Sequence, residues 1–154
     1  MSVKIKVKTS IFQETGEEII ELTACGHFYQ KGQACFLQYD EEAEVGRIRT
    51  ILKWAGEEVS ILRSGAVKMR MPLVLNREIK GSYELPFGKL ETASTMKEIS
   101  HSYNAENGEG YIDLLYDFSM QGTHAGTYHL EISFQEEDSN EHSGASSKQI
   151  KTGN

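Results

Sequence analysis

Asp113 and Asp117 lie four residues apart in an alternating stretch and so share one face of a strand, an arrangement suited to general acid–base chemistry. That face is the polar one, because Ile112, Leu114, Tyr116, Phe118 and Met120 alternate with the two aspartates. The pair therefore reads first as a solvated outer surface. The five histidines are His27, His101, His124, His129 and His142. None has metal-ligand spacing, and His124 and His129, an odd number of residues apart, point to opposite faces of a regular strand. No GxGxxG, GxxxxGK[ST], HExxH, GxSxG or EF-hand pattern occurs. No catalytic residue, metal or cofactor is expected, and the reading leans away from an enzyme.

Arg63 carries more information. A guanidinium inside a fold has to find a carboxylate or several carbonyls, since burying it unpaired is expensive. It is either a structural clamp or an anchor for an anionic head group, with the clamp favoured. Tyr39, Tyr83 and Tyr116 have a similar double reading, as core-filling rings or as hydroxyls that orient a ligand. Trp54, Met69, Met71 and Phe87 would be walls. Pro86-Phe87-Gly88 reads as a turn that sets Phe87 over one end as a plug or lid. The small side chains of Thr92-Ala93-Ser94-Thr95 can leave room beside large neighbours. The candidate ligand-binding set is Arg63, Tyr83, Tyr116, Trp54, Phe87 and Thr95.

The elements that must position these residues are strands. From residue 3 to 136, period-2 alternation rich in β-branched and aromatic residues is broken at short intervals by glycine-containing turns. Val3, Ile5 and Val7 oppose Lys4, Lys6 and Lys8, which marks one dry face and one wet one. About ten such runs follow one another as a meander, with no convincing helical period. The expected fold is all-β, a closed antiparallel up-and-down barrel of about 8–10 strands, because closure removes exposed edges.

Turn placement assigns the faces. A two-residue turn at Lys31-Gly32 pairs Phe28 with Cys35, Gly26 with Leu37 and Ala24 with Tyr39, all inward. Cys25 then lies on the opposite face from Cys35, and free thiols are expected. Across Ala55-Gly56, the residues Ile48, Thr50, Leu52 and Trp54 share a dry strip with Val59 and Ile61. A three-residue turn with Gly65 left-handed adds Met69 and Met71 to that strip.

At 154 residues the chain has the length of one domain, read as a barrel over 1–137 and a polar, flexible C-terminal tail over 138–154. Sixteen basic and twenty-three acidic residues give a net charge of −7, which disfavours nucleic acid as a partner. No apolar run is long enough for a membrane helix, and the N-terminus has no signal-peptide pattern, so a soluble cytoplasmic protein is expected.

Gly26 with Tyr39-Asp40-Glu41, Arg63-Ser64-Gly65, Tyr83-Glu84-Leu85-Pro86-Phe87-Gly88 with Thr95, and Tyr116 together resemble the YwiB-like family of uncharacterised β-barrel proteins of Gram-positive bacteria. The likeness spans roughly residues 2–136, and the tyrosine-to-glycine hexad is its most specific part. Leu85 stands where that family pattern is expected to carry a threonine. The resemblance implies a lipocalin-like, calycin-type barrel and no particular activity. The GxW motif of true lipocalins is absent from the first strand, since the single tryptophan is Trp54. The functional expectation is a non-enzymatic barrel that binds a small amphiphilic or apolar ligand. The alternatives are a solid barrel serving as a homodimer or interaction module through Phe36, Ile51 and Leu115, and, third, an enzyme of unidentified class.

Overall fold

In β1 (Ser2–Gln13), Val3, Ile5 and Val7 are buried and the intervening lysines exposed, so the strand has one dry face from its first turn of the pleat. The same alternation recurs in β2 (Gly16–Lys31), β3 (Ala34–Ala43), β4 (Gly46–Ala55), β5 (Glu58–Gly65), β6 (Lys68–Val74), β7 (Glu78–Leu85), β8 (Gly88–Asn104), β9 (Glu109–Met120) and β10 (Thr123–Glu136). Each strand pairs antiparallel with its sequence neighbour, and β1 pairs with both β2 and β10. The result is a closed ten-stranded up-and-down barrel, as the alternation predicts. The computed structural model describes residues 1–137 and the strand at 147–153.

That last strand, β11 (Ser147–Gly153), lies within the segment expected to be a flexible tail, and pairs antiparallel with Glu17 to Thr23 of β2. The rest of the expected tail, 138–146 and residue 154, lies outside the described residues. The site on β2 is available because β2 and β3 pair only from Gly26↔Tyr39 to Lys31↔Ala34. A second interruption follows β6, whose ladder to β7 covers only Lys68–Arg70. Pro72 lies just beyond it and has no N–H to continue a ladder.

The early hairpin turns at Gly32-Gln33, one residue later than expected, with Gly32 at φ 62°. This moves each pairing by two residues, so Phe28 meets Leu37 and Gly26 meets Tyr39, while the inward and outward sets stay as assigned. Trp54↔Val59, Leu52↔Ile61 and Arg63↔Met69 place the expected strip on the inner face, and Gly65 is left-handed at φ 97°. Cys25 and Cys35 are not joined in a disulfide, and Cys25 Sγ lies 3.6 Å from Glu137 Oε1.

The two halves of the bore are filled differently. At the end where β2 turns into β3, the aromatic rings of Phe28, Trp54, Tyr103 and Phe134 pack together, with Phe28 4.5 Å from Phe134 and 4.6 Å from Tyr103. At the other end the inward residues, among them Tyr39, Arg63, Tyr83 and Tyr116, surround open space instead of a ring stack.

Gly26 sits where β3 leaves β2, and a Cβ there would overlap the Gln38 carbonyl oxygen and approach Ile5 Cδ1 to 2.7 Å. Gly26→Ala is expected to destabilise the barrel by about 1–3 kcal/mol, through overpacking against backbone that cannot yield. Urea unfolding of the two proteins measures it, and equal midpoints would refute the close-approach role.

Candidate functional site

The unfilled half of the bore is a cavity of about 390 Å³. Its walls are mostly apolar, including Leu22, Ile61, Met69, Met71, Phe118 and Leu130, and its polar side is built by β3, β4 and β5. Tyr39, Thr50 and Arg63 are successive cross-strand partners, so their side chains lie abreast on the inner face. Glu41, two residues beyond Tyr39, shares that face by strand periodicity.

Arg63 donates from a terminal N–H to Glu41 Oε1 at 2.7 Å and from Nε to Thr50 Oγ1 at 3.4 Å. Glu41 is buried, and its carboxylate is tolerable inside because the guanidinium pairs with it. Burial raises the phenol of Tyr39 to about 12, an effect the nearby Arg63 charge partly offsets. Tyr116 is likewise raised by burial, and then by Tyr128. Tyr116 also stacks on Tyr128 at 5.4 Å.

Of the residues expected at a ligand site, Arg63, Tyr83 and Tyr116 line this cavity, as do Met69 and Met71. Three others do not. Trp54 is buried in the aromatic plug of the opposite half, next to Phe28 and Phe134. Phe87 is 83% exposed at the β7–β8 turn and plugs nothing, because Glu84↔Lys89 and Leu85↔Gly88 close the hairpin and leave its tip in solvent. Thr95 faces outward opposite Asp117 and Glu78, one residue out of phase with the inward Ser94 and Met96.

Glu41 and Thr50 were missed as site residues, although a signal for Glu41 existed. It has the inward parity of Tyr39 in a strand, at a position where a carboxylate needs a cation, and Arg63 needed an anion. Their adjacency depends on the registers of both β3–β4 and β4–β5, and the β4–β5 turn falls at Gly56-Glu57, one residue later than read, which sets Thr50 opposite Arg63.

The acidic outer face forms pairs of another kind. A bulge between His124 and Gly126 shifts the register of β10, so His124 lies 4.0 Å from Asp117 and shares the outer face with His129. The expectation that these histidines point to opposite faces is thereby corrected, since a bulge adds one residue to one strand. Asp113 and Asp117 take separate partners. His129 Nε2 lies 2.7 Å from Asp113 Oδ1, and Thr127 Oγ1 donates to Asp117 Oδ1 at 2.7 Å. Asp113, His129 and Glu131 bring ligand atoms within 4.8 Å of one another. However, His129 presents different ring nitrogens to the two carboxylates, Nε2 in a hydrogen bond to Asp113 across β9 and β10 and Nδ1 3.9 Å from Glu131 on its own strand, beyond hydrogen-bond reach.

A closed antiparallel barrel with a half-filled bore and, among the described residues, the internal Arg63–Glu41 ion pair thus defines the class of protein. The model described as "Domain of unknown function (DUF1934)" matches residues 5–132, and the chain belongs to that family. The "Uncharacterized beta-barrel protein YwiB" of Bacillus subtilis (strain 168) is 30% identical over 133 residues, covering 86% of this chain and 92% of that protein. The crystal structure of the ywiB protein from Bacillus subtilis superposes with a TM-score of 0.80 at 30% identity, over 89% of this chain and 92% of that one. Among the described residues no helix is long and apolar enough to cross a membrane.

Arg63→Met strands the Glu41 charge in the wall and is expected to destabilise by about 3–5 kcal/mol, whereas the double change Arg63→Met, Glu41→Leu recovers most of the loss. Thermal and urea melts of both proteins decide this, and an Arg63→Met protein of unchanged stability would eliminate the clamp. A second expectation concerns pH. Tyr39 ionises near 10 when unfolded and near 12 when folded, so its contribution is complete below pH 10 and is lost as pH rises through 12. Stability should fall by about 2–3 kcal/mol across that window on account of this residue, and Tyr39→Phe should flatten the decline. Urea midpoints measured at a series of alkaline pH values provide the check.

Proposed function

We propose that this protein is a non-enzymatic binding barrel, a cytoplasmic, lipocalin-like container for one small amphiphilic ligand. The observation that carries the reading is the cavity of about 390 Å³, with apolar walls and a single polar side made by Arg63, Glu41 and Thr50. Binding sites for small molecules have this composition, apolar lining with a few convergent polar groups, and span about 300–1,000 Å³. The aromatic plug closes the far half of the bore, so a ligand would enter from the end where β1 turns into β2. Two cysteines that form no disulfide suit a reducing compartment.

One observation favours a second reading, a homo-oligomer or interaction module. On the outer wall Tyr29 stacks on Phe36 at 4.7 Å, near Ile51 and Leu62, and Tyr29 and Leu62 are exposed. Exposed aromatic and aliphatic side chains grouped on one wall are characteristic of contact surfaces.

Native mass spectrometry of protein purified from the cells that make it separates the two. The expected result is a monomer carrying a stoichiometric extra mass of roughly a few hundred daltons, the size such a cavity admits, released on denaturation. A bare dimer would replace the container with the interaction module, and a bare monomer would remove both.

A further inference from the structure

The polar side of the cavity presents Arg63 and the Tyr39 and Tyr116 hydroxyls as donors, with the Glu41 carboxylate already engaged by Arg63. Of the internal ion pair, Arg63 is the partner within reach, its side chain 29% exposed against 5% for Glu41. Its fork gives one N–H to Glu41 and one to Thr50, and among the described residues the remaining N–H groups have no acceptor. Thr50 accepts from Arg63 and stands directly across the ladder from Tyr39, and both line the cavity, so the Tyr39 hydroxyl is placed beside the guanidinium. Tyr116 lines the same cavity and is close enough to feel the charge of Arg63 and the phenol of Tyr39. Both phenols are protonated at neutral pH even at the ordinary value near 10, and burial moves them further from ionisation, so each has a proton to donate.

A group that meets a guanidinium and two phenol O–H groups should be rich in acceptors and free of protons. A carboxylate has two oxygens and only accepts, an alcohol brings one oxygen and a proton of its own, and an ammonium brings only donors. Bonds from charged or phenolic donors to a carboxylate are also about twice as strong as neutral ones. The chain length follows from volume. At about 30 Å³ per atom-sized group, the share water takes in its liquid, about 390 Å³ holds roughly a dozen non-hydrogen atoms.

We infer that the ligand of this cavity is a medium-chain carboxylate, its head set on Arg63, Tyr39 and Tyr116 and its chain lying along Met69, Met71 and Phe118. The inference rests on the container reading and names the chemical class of what is contained. Glu41 holds the guanidinium from behind as a positioning residue, which leaves the free edge of the fork to the ligand.

The test is calorimetric titration of the full-length chain with decanoate, decanol and decylamine, which share a chain and differ at the head. Decanoate is expected to bind at least about tenfold tighter than decanol, with decylamine weakest. Tyr39→Phe and Tyr116→Phe, which remove one hydroxyl each and keep the ring, should each weaken decanoate by about tenfold and leave decanol within about twofold. The paired change Arg63→Met, Glu41→Leu, which leaves no orphaned charge, should abolish the preference for decanoate over decanol. Equal binding of the three probes, or preference for the amine, would overturn the carboxylate assignment and leave the container standing. A preference that survives all these changes would overturn the assigned anchor. Binding of none of the probes would overturn both this inference and the reading beneath it.

Discussion

Closure sets the terms for everything else in this molecule. With β1 paired on both sides, every strand has one face turned into a shared bore, and ten strands enclose a wider bore than the eight at which side chains just fill the interior. The chain meets that demand unevenly. Phe28, Trp54, Tyr103 and Phe134 supply enough ring volume to fill one half. In the other half aliphatic residues, methionines and several tyrosines line the wall around Arg63 and Glu41, and a cavity is left between them. Neither the solid barrel nor the hollow one describes the molecule alone, because it is plugged at one end and hollow at the other.

The ion pair of Arg63 and Glu41 belongs to that hollow half for a physical reason. A buried carboxylate is tolerated only with a partner, and three neighbouring strands bring Glu41 to Arg63, whose Nε is in turn held by Thr50. The clamp and the anchor, read as alternatives in the sequence, are compatible in the fold. One edge of the guanidinium serves the wall, and another faces the cavity.

The wall itself is not uniform. β2 parts from β3 at Gly26, where the backbones approach too closely for any Cβ, and the freed stretch of β2 takes up β11. In that register Ile150 stands opposite Ile20 and Lys148 opposite Leu22, both of them cavity-lining residues of β2. The end of the chain therefore completes the sheet beside the site, a placement that the composition of a polar tail did not announce.

Alternation, turn residues and the absence of helical period were enough to indicate the closed meander and the inward parity of Tyr116, and the choice of a three-residue turn with Gly65 left-handed carried Arg63, Met69 and Met71 inward, because side-chain direction in a strand depends only on counting by two. The turn at Gly32-Gln33 came one residue later than read without changing any face, since a shift of two in pairing preserves parity. Parity, however, specifies in or out and not how far along the bore. Trp54 is inward and still belongs to the plug, and Thr95 and Phe87 fail for other local reasons, an out-of-phase position and an exposed hairpin tip. The partnership of Glu41 with Arg63, the bulge that turns His124 outward, and the depth of each residue in the bore were decided by register and stagger between strands. Those are set by packing across the whole closed sheet, and no local stretch of sequence contains them.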